Sequence, residues 1–165
     1  MTLLELRERV ARAGATREDL RGRPLVIACG LGKLPGVHRV DALYTGPSWS
    51  IYRKGMRDRV VRGLGLLSYD VYVLSAEYGI VPVDRRIASY DKVLKERPKK
   101  PNEVGIAAIL SLLRRQVREH GLVEVDVSGG ELYADALAQA GLVVHRLDTR
   151  GIGYQNGALK AHLLR

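Results

Sequence analysis

The sequence predicts an α/β fold in which a central, mostly parallel four-stranded sheet carries helices on both faces. Two observations lead to this fold class. Four short apolar runs alternate along the chain with longer segments of helical character, and such strand–helix alternation is typical of a parallel sheet. Three of the runs also end in small or polar residues beside glycine, as strands do where they lead into a ligand-binding helix terminus.

The four predicted strands differ in their hydrophobic pattern. Residues 25–29 and 71–75 are continuous apolar runs, which is the pattern of strands buried in a parallel sheet. Residues 123–127 alternate between apolar and acidic side chains, and residues 142–147 form the last run. The pattern therefore predicts two fully buried strands among the four.

Helical segments are predicted before, between and after these strands. They cover residues 2–13, 47–63, 102–119, a stretch that ends at 140, and residues 155–164. Pro47 suits the first position of its helix. Residues 40–44 are predicted to be extended, and residues 76–91 lack periodicity and are predicted to be irregular. We expect one domain over residues 1–165, with residues 1–22 as an amino-terminal helical extension.

Composition narrows the class of protein and of partner. Of the 165 residues, 46% are hydrophobic and 27% are charged, as in globular proteins. The single cysteine excludes an intramolecular disulfide, and no apolar run reaches the roughly 20 residues of a membrane span. These features predict a soluble, cytoplasmic protein. The formal net charge of +9 favours an anionic partner, although arginine-rich proteomes also produce basic proteins for other reasons.

Three strand ends carry the candidate chemistry, because ligands of parallel sheets bind beyond the carboxyl ends of the strands. Cys29 ends the first strand and Lys33 lies in the glycine-rich loop after it. Cys29 is either a nucleophile activated by nearby positive charge or a small buried residue. Lys33 is either a point charge for a phosphate, an amine nucleophile, or a solvated loop lysine.

The second and third strand ends add polar and aromatic side chains. Glu77 follows the second strand, where it is either functional, as a general base or as a carboxylate that binds an amidine edge, or it forms an ion pair with one of the arginines. Tyrosines near strand ends can stack on a base or a sugar. The residues expected to bind substrate are Gly30, Tyr44, Gly46, Ser75, Tyr78, Tyr90, Asp91, Ser128, Gly129 and Tyr133.

Basic residues between 85 and 100 form a second candidate surface. Their density in a segment without periodicity favours contact with a nucleic-acid backbone. The residues are Arg85, Arg86, Lys92, Lys95, Lys99 and Lys100. The four histidines show no ligand spacing and one cysteine cannot build a zinc site, so we expect neither a metal nor a cofactor.

At these same positions the sequence resembles an uncharacterised bacterial and phage family. That family is related to the α/β domain of archaeosine synthase and, in fold, to uracil-DNA glycosylases. The shared segments are Cys29 with Lys33, 43–47 (Leu-Tyr-Thr-Gly-Pro), 74–80 (Leu-Ser-Ala-Glu-Tyr-Gly-Ile), Tyr90-Asp91, Gly130 with Tyr133, and 151–153 (Gly-Ile-Gly). They run in order from about residue 25 to the carboxyl terminus.

The resemblance implies a three-layer, Rossmann-like fold and a site for a nucleobase or a nucleotide. In archaeosine synthase a lysine shortly after the corresponding cysteine attacks a deazaguanine nitrile in tRNA; here Lys33 takes that position. We therefore expect an enzyme that acts on a base or an N-glycosidic bond in a nucleic acid or a nucleotide, with Cys29, Lys33 and Glu77 as catalytic residues. The alternatives are a non-catalytic nucleic-acid-binding module and a hydrolase of small nucleotides or sugars.

Overall fold

The structure is a computed structural model that describes residues 22–165. Its centre is a five-stranded sheet, with strand order β4-β3-β1-β8-β9. The strands of this sheet are β1 (Leu25–Ala28), β3 (Val71–Ser75), β4 (Gly79–Pro82), β8 (Glu124–Ser128) and β9 (Val143–Arg146). All neighbouring strands are parallel except β3 and β4, which pair in the antiparallel direction. The mostly parallel α/β sheet predicted from the sequence is confirmed.

Helices cover both faces of this sheet. They are α1 (Val40–Leu43), α2 (Pro47–Val61), α3 (Ile106–Glu119), α4 (Glu131–Gln139) and α5 (Ile152–Leu163). Successive strand residues point to opposite faces, so β1 sends Val26 into one apolar cluster and Leu25 and Ile27 into the other. Leu113 of α3 belongs to the first cluster and Trp49 of α2 to the second. The apolar runs 25–28 and 71–75 are therefore buried on both sides, as predicted.

The prediction of four sheet strands is wrong, because the segment predicted to be irregular contributes a fifth. Gly79 has a φ of +72°, a left-handed conformation that glycine adopts without steric cost. It lets the chain reverse after β3, so that Gly79–Pro82 pairs with β3. Pro82 suits an edge strand, where its missing N–H leaves no hydrogen bond unmade.

Short ribbons account for other differences from prediction. β2 (Val37–Arg39) pairs with β5 (Arg86–Ala88) in the antiparallel direction. Residues 40–44 are not extended: Val40 and Leu43, three positions apart, are both buried by one helical turn. β6 (Val93–Leu94) pairs with β7 (Glu103–Val104), so the helix expected from 102 begins only at Ile106.

The amino-terminal helix predicted over residues 2–13 lies outside the described residues, as does the extension up to residue 21. The remaining predicted helices are present, with shifted ends. No helix among residues 22–165 is long and apolar enough to cross a membrane.

Candidate functional site

The three strand ends singled out by the sequence lie side by side. β1 is at the centre of the sheet, with β3 on one side and β8 on the other, so Cys29, Ser75 and Ser128 lie at the same edge of the sheet, with Ser128 level with Ile27. The chain runs from β1 outward to β3 and β4 and then crosses to β8 and β9 on the other side. This change of direction beside β1 is the switch point at which open α/β sheets bind their ligands.

Lys33 is held at this edge by a short antiparallel bridge to Tyr44. The Leu34 amide donates to the Leu43 carbonyl oxygen at 2.9 Å, and the Thr45 amide donates to the Gly32 carbonyl oxygen at 2.9 Å. These bonds fix the backbone of a loop that would otherwise be free to move. The position of the amine therefore follows from local pairing and not from the sheet alone.

The Lys33 amine lies against aromatic rings. Its Nζ is 4.3 Å from the centroid of the Tyr90 ring and 5.8 Å from that of Tyr44. Nζ also donates a hydrogen bond to the Leu31 carbonyl oxygen at 3.3 Å. Partial burial lowers the pKa of the amine below its usual 10.5, while the nearby Cys29 and Asp91 act in the opposite direction. At a given pH, a larger fraction of the Lys33 amine is therefore neutral than in a fully exposed lysine.

Three tyrosine side chains lie together beside Lys33. The hydroxyls of Tyr44 and Tyr90 are 2.7 Å apart, and the Tyr78 ring meets the Tyr90 ring edge-on with 5.5 Å between centroids. Burial raises the pKa of Tyr44 and Tyr90, and hydrogen bonds with Ser75 lower it slightly. Both phenols are therefore neutral at neutral pH and keep a proton to donate.

The exposure of these rings separates two roles. Tyr44 is fully buried and stacks on Trp49, with centroids 5.2 Å apart. It supports Tyr90 from within the core. Tyr78 and Tyr90 are partly exposed, and the Tyr78 hydroxyl donates to the Ala88 carbonyl oxygen at 3.2 Å. Of the three, Tyr78 and Tyr90 are the rings that a ligand can reach without rearrangement of the core.

Cys29 contacts a fourth tyrosine of the site, Tyr133. Its Sγ lies 3.5 Å from the Tyr133 hydroxyl, which reaches it from α4. Burial raises the pKa of Tyr133, and the proximity of Cys29 raises it further. The indole N–H of Trp49 donates to the Ala28 carbonyl oxygen at 3.1 Å and fixes the end of β1 just before the thiol.

The turn after β8 approaches β1 closely. A Cβ added at Gly129 would lie 2.7 Å from the Cβ of Ala28, so only glycine fits there without a shift. In contrast, a Cβ at Gly30, Gly46 or Gly130 would meet nothing within 4 Å. There is consequently open space around the ends of β1 and β8.

Ser75 and Glu77 have partners of their own. The Ser75 Oγ accepts hydrogen bonds from the amides of Glu77 at 3.1 Å and Tyr78 at 3.0 Å, which shapes the turn between β3 and β4. The Glu77 Oε2 is 2.9 Å from the Lys92 Nζ. Glu77 therefore forms the ion pair that was one of its two interpretations, although with a lysine; its catalytic role stays a prediction.

The basic residues of segment 85–100 are exposed, as contact with a nucleic acid requires. Lys92 is engaged by Glu77, and one Arg86 nitrogen donates to the Val37 carbonyl oxygen at 3.2 Å. The amides of Lys99 and Lys100 donate to the Glu103 carboxylate, and both residues are exposed. Their binding to nucleic acid stays a prediction.

One further side chain at this edge was not identified from the sequence. Arg146 is the last residue of β9, and its Nη2 donates a long hydrogen bond of 3.4 Å to the Gly129 carbonyl oxygen. Its Nε is buried and has no hydrogen-bond partner. Its place at the end of the fourth predicted strand was the available sequence signal.

Two cavities lie away from this cluster. One of about 480 Å³ opens at the opposite edge of the sheet, beside Arg23 and His120, and one of about 500 Å³ lies between Pro98, α3 and α4. Neither is lined by Cys29, Lys33 or a tyrosine of the site. Within residues 22–165 no group of three metal-ligating side chains is arranged to hold a metal ion. The side-chain chemistry, and not the size of a cavity, distinguishes the strand-end site.

The chain belongs to a family of unknown function, DUF6884, whose model matches residues 25–161. The match begins at β1 and ends within α5, so it includes every residue of the site described above. Neither the comparison with curated proteins nor that with solved structures finds a match. Membership in an uncharacterised family is thus confirmed, and nothing in the comparisons links it to archaeosine synthase or to uracil-DNA glycosylases.

Proposed function

We propose that this member of a family of unknown function is a nucleobase- or nucleotide-directed enzyme that acts on a base or an N-glycosidic bond. The observation that carries the proposal is the Lys33 amine, held over the Tyr90 ring and electrostatically coupled to Cys29. A titratable group with a shifted pKa at a switch point is typical of a functional site. A lysine in a fully solvated loop would have neither the aromatic contact nor the lowered pKa.

Lys33 acts as the nucleophile in this proposal. In its neutral form the amine can attack an electrophilic carbon, and burial increases the neutral fraction. Cys29 is electrostatically coupled to Lys33, and the Cys29 thiol and the Tyr133 hydroxyl, 3.5 Å apart, can donate a proton to a departing group. The raised pKa of Tyr133 keeps that phenol protonated at neutral pH.

The base would lie against the partly exposed rings of Tyr78 and Tyr90. Base–aromatic stacking contributes about 1–3 kcal/mol per base and tolerates different bases. Glu77 would hydrogen-bond to the edge of the base or transfer a proton. To do so, its carboxylate would release Lys92 and bind the ligand instead. Ser128 and Gly129 would hold the ribose or phosphate, in the open space around Gly30 and Gly130.

The Rossmann-like, glycosylase-like assignment belongs to this proposal. The parallel strands β3, β1, β8 and β9, with helices on both faces, are compatible with it. The segments that the sequence shares with the uncharacterised bacterial and phage family include Lys33, Tyr78, Tyr90 and Tyr133, which lie in or beside one cluster. That convergence favours a base-directed activity.

The proposal is tested by incubating the protein with nucleosides, nucleotides, and DNA and RNA oligomers. Mass spectrometry then detects a released base or an altered mass. We expect a change that Lys33→Ala slows at least about 100-fold, while Lys54→Ala, which removes an exposed lysine of α2 paired with Asp58, leaves it intact. A folded Lys33→Ala protein with full activity would show that the catalytic assignment is wrong.

A second candidate is a non-catalytic nucleic-acid-binding module. The exposed cations of segment 85–100, on an ordered ribbon and turn near the site, favour it. This alternative predicts oligomer binding that weakens steeply with salt, by a log–log slope of about −0.7 to −0.9 per phosphate contact. It also predicts that the bound strand is recovered unchanged.

A further inference from the structure

Arg146 is a partly buried cation that has no counter-ion among residues 22–165. Within those residues the only hydrogen bond of its side chain is the 3.4 Å contact with the Gly129 carbonyl oxygen, and its buried Nε has no partner. Arg146 forms no ion pair with any residue in the described part of the chain. Removing a guanidinium from water without compensating bonds is costly, so such a group is expected to have an anionic ligand.

Other arginines of the chain have internal partners. Arg150, four residues further along, forms a bidentate pair with Asp148. Arg59, which is only 5% exposed, donates to the backbone carbonyl oxygens of Gly65, Leu163, Arg165, Leu64 and Leu66. These two arginines therefore have the partners within the fold that Arg146 lacks among the described residues.

The deficit lies next to the proposed active site. The Gly129 backbone that Arg146 contacts packs directly on Ala28, which precedes Cys29. Tyr133, from the helix that follows this turn, contacts the Cys29 thiol. Arg146 thus contacts the turn that packs on the end of β1, on the β9 side of the proposed active site.

We infer that Arg146 binds a phosphate group of the ligand, at the turn formed by residues 128–130. The planar guanidinium suits bidentate contact with a phosphate, and the open space at Gly130 leaves room for the oxygens to approach. The phosphate is either the monoester of a nucleotide or a diester within a strand. The identity of the rest of the ligand rests on the proposed function; the phosphate contact itself does not.

The inference is tested with Arg146→Met and the matched control Arg150→Met. Thermal unfolding is followed with inorganic phosphate, with each common nucleoside and its 5′-monophosphate, and with dinucleoside monophosphates that lack a terminal phosphate. We expect phosphate and the monophosphates to raise the Tm of wild type and of Arg150→Met. Arg146→Met weakens monophosphate binding about 10- to 100-fold.

The ligand-free variant supplies a second readout. Because Arg146 has few internal bonds to lose, ligand-free Arg146→Met is expected to have a Tm equal to or above that of wild type. A marked fall in that Tm would mean a structural role and would overturn the inference. So would equal phosphate protection of wild type and Arg146→Met, or no protection of wild type by any phosphate-bearing probe.

The outcomes separate this inference from the proposed function. Nucleosides that protect wild type but not Lys33→Ala, without any effect of phosphate, would support the base site and overturn the role of Arg146. Phosphate protection that depends on Arg146, without any nucleoside effect, would support the role of Arg146 and overturn the base site. Stronger protection by monophosphates than by dinucleoside monophosphates identifies the monoester as the source, and the opposite order identifies a strand.

Discussion

The two edges of the central sheet differ in how their charged side chains are paired. At the amino-terminal edge, Arg23 is 3.1 Å from Glu124 and 3.3 Å from Asp126, and Glu124 also contacts His145. At the carboxyl edge Lys92 is paired with Glu77, but Lys33 and Arg146 have no ion-pair partner in the described part of the chain. Lys33 contacts a carbonyl oxygen and aromatic rings, and Arg146 contacts a carbonyl oxygen. Charges matched within the fold contribute to stability, whereas unmatched ones are available to a ligand.

The largest effect that would sharpen this comparison is expected at Arg59. Its guanidinium connects the end of α2 to the carboxyl-terminal carbonyls of α5. Arg59→Met leaves several buried carbonyl groups without a donor, so we expect a loss of about 3–4 kcal/mol in the free energy of unfolding. Denaturant unfolding measures it, with Arg146→Met as the contrast. Equal losses in the two variants would remove the distinction between matched and unmatched arginines.

Gly129 provides the next test, at the carboxyl edge. Because an added Cβ would lie 2.7 Å from that of Ala28, Gly129→Ala forces the turn away from β1. We expect a loss of about 1–3 kcal/mol in the free energy of unfolding together with weaker nucleotide binding. The neighbouring Gly130→Ala meets no atom within 4 Å and serves as the control for stability alone, with a loss below about 1 kcal/mol. If Gly129→Ala binds and unfolds like wild type, the turn is not the close contact described.

Lys33 allows a smaller, chemical comparison. Partial burial lowers its pKa from 10.5, so its reaction with an acylating reagent should reach half its maximal rate at a lower pH than that of N-acetyl-lysine amide. Because the pKa of Lys33 is lower in the folded than in the unfolded state, Lys33 contributes to the stability of the fold above pH 10.5. This contribution is lost as the pH falls through the folded-state pKa. Peptide mass spectrometry after timed labelling measures the rate; a midpoint at or above that of the model amide would contradict a desolvated amine.

The smallest effect is expected at His162, at the amino-terminal edge. Burial lowers its pKa from 6.5, and the nearby Asp126 only partly opposes this. The unfolded state therefore binds more protons below pH 6.5, and the associated stability, present above that pH, is lost as the pH falls through the folded-state pKa. Thermal unfolding of wild type and His162→Gln between pH 7.5 and pH 5 (about the range where histidine titrates) should show a flatter pH dependence in the variant. Parallel profiles would exclude this contribution.

The sequence predicted the parts of the site that depend on apolar runs. The buried strands around residues 25–28 and 71–75 have an unmistakable pattern, and strand ends in a parallel sheet must meet at one edge. The sequence therefore predicted that Cys29, Ser75 and Ser128 lie at one edge of the sheet. The position of β1 between β3 and β8 confirms that these strand ends are neighbours.

The parts that were missed depend on contacts between distant residues. The short strand β4 has only Ile80 and Val81 as an apolar signal, and its pairing follows from the turn at Gly79. The burial of Tyr44 follows from stacking on Trp49, which no local pattern indicates. The absence of a partner for Arg146 is likewise a property of the folded chain, since its sequence neighbours include Asp148, which pairs with Arg150 instead.

The most direct test of a nucleobase or nucleotide site at the carboxyl edge is ligand-dependent thermal unfolding of wild type, Lys33→Ala and Lys54→Ala. Free bases, nucleosides, nucleotides and short oligomers are compared. A ligand at about 100 times its Kd should add about 2.7 kcal/mol to the stability of wild type and of Lys54→Ala, and much less to that of Lys33→Ala. Protection by oligomers alone, equal in all three proteins, would contradict the site and favour a backbone-binding module.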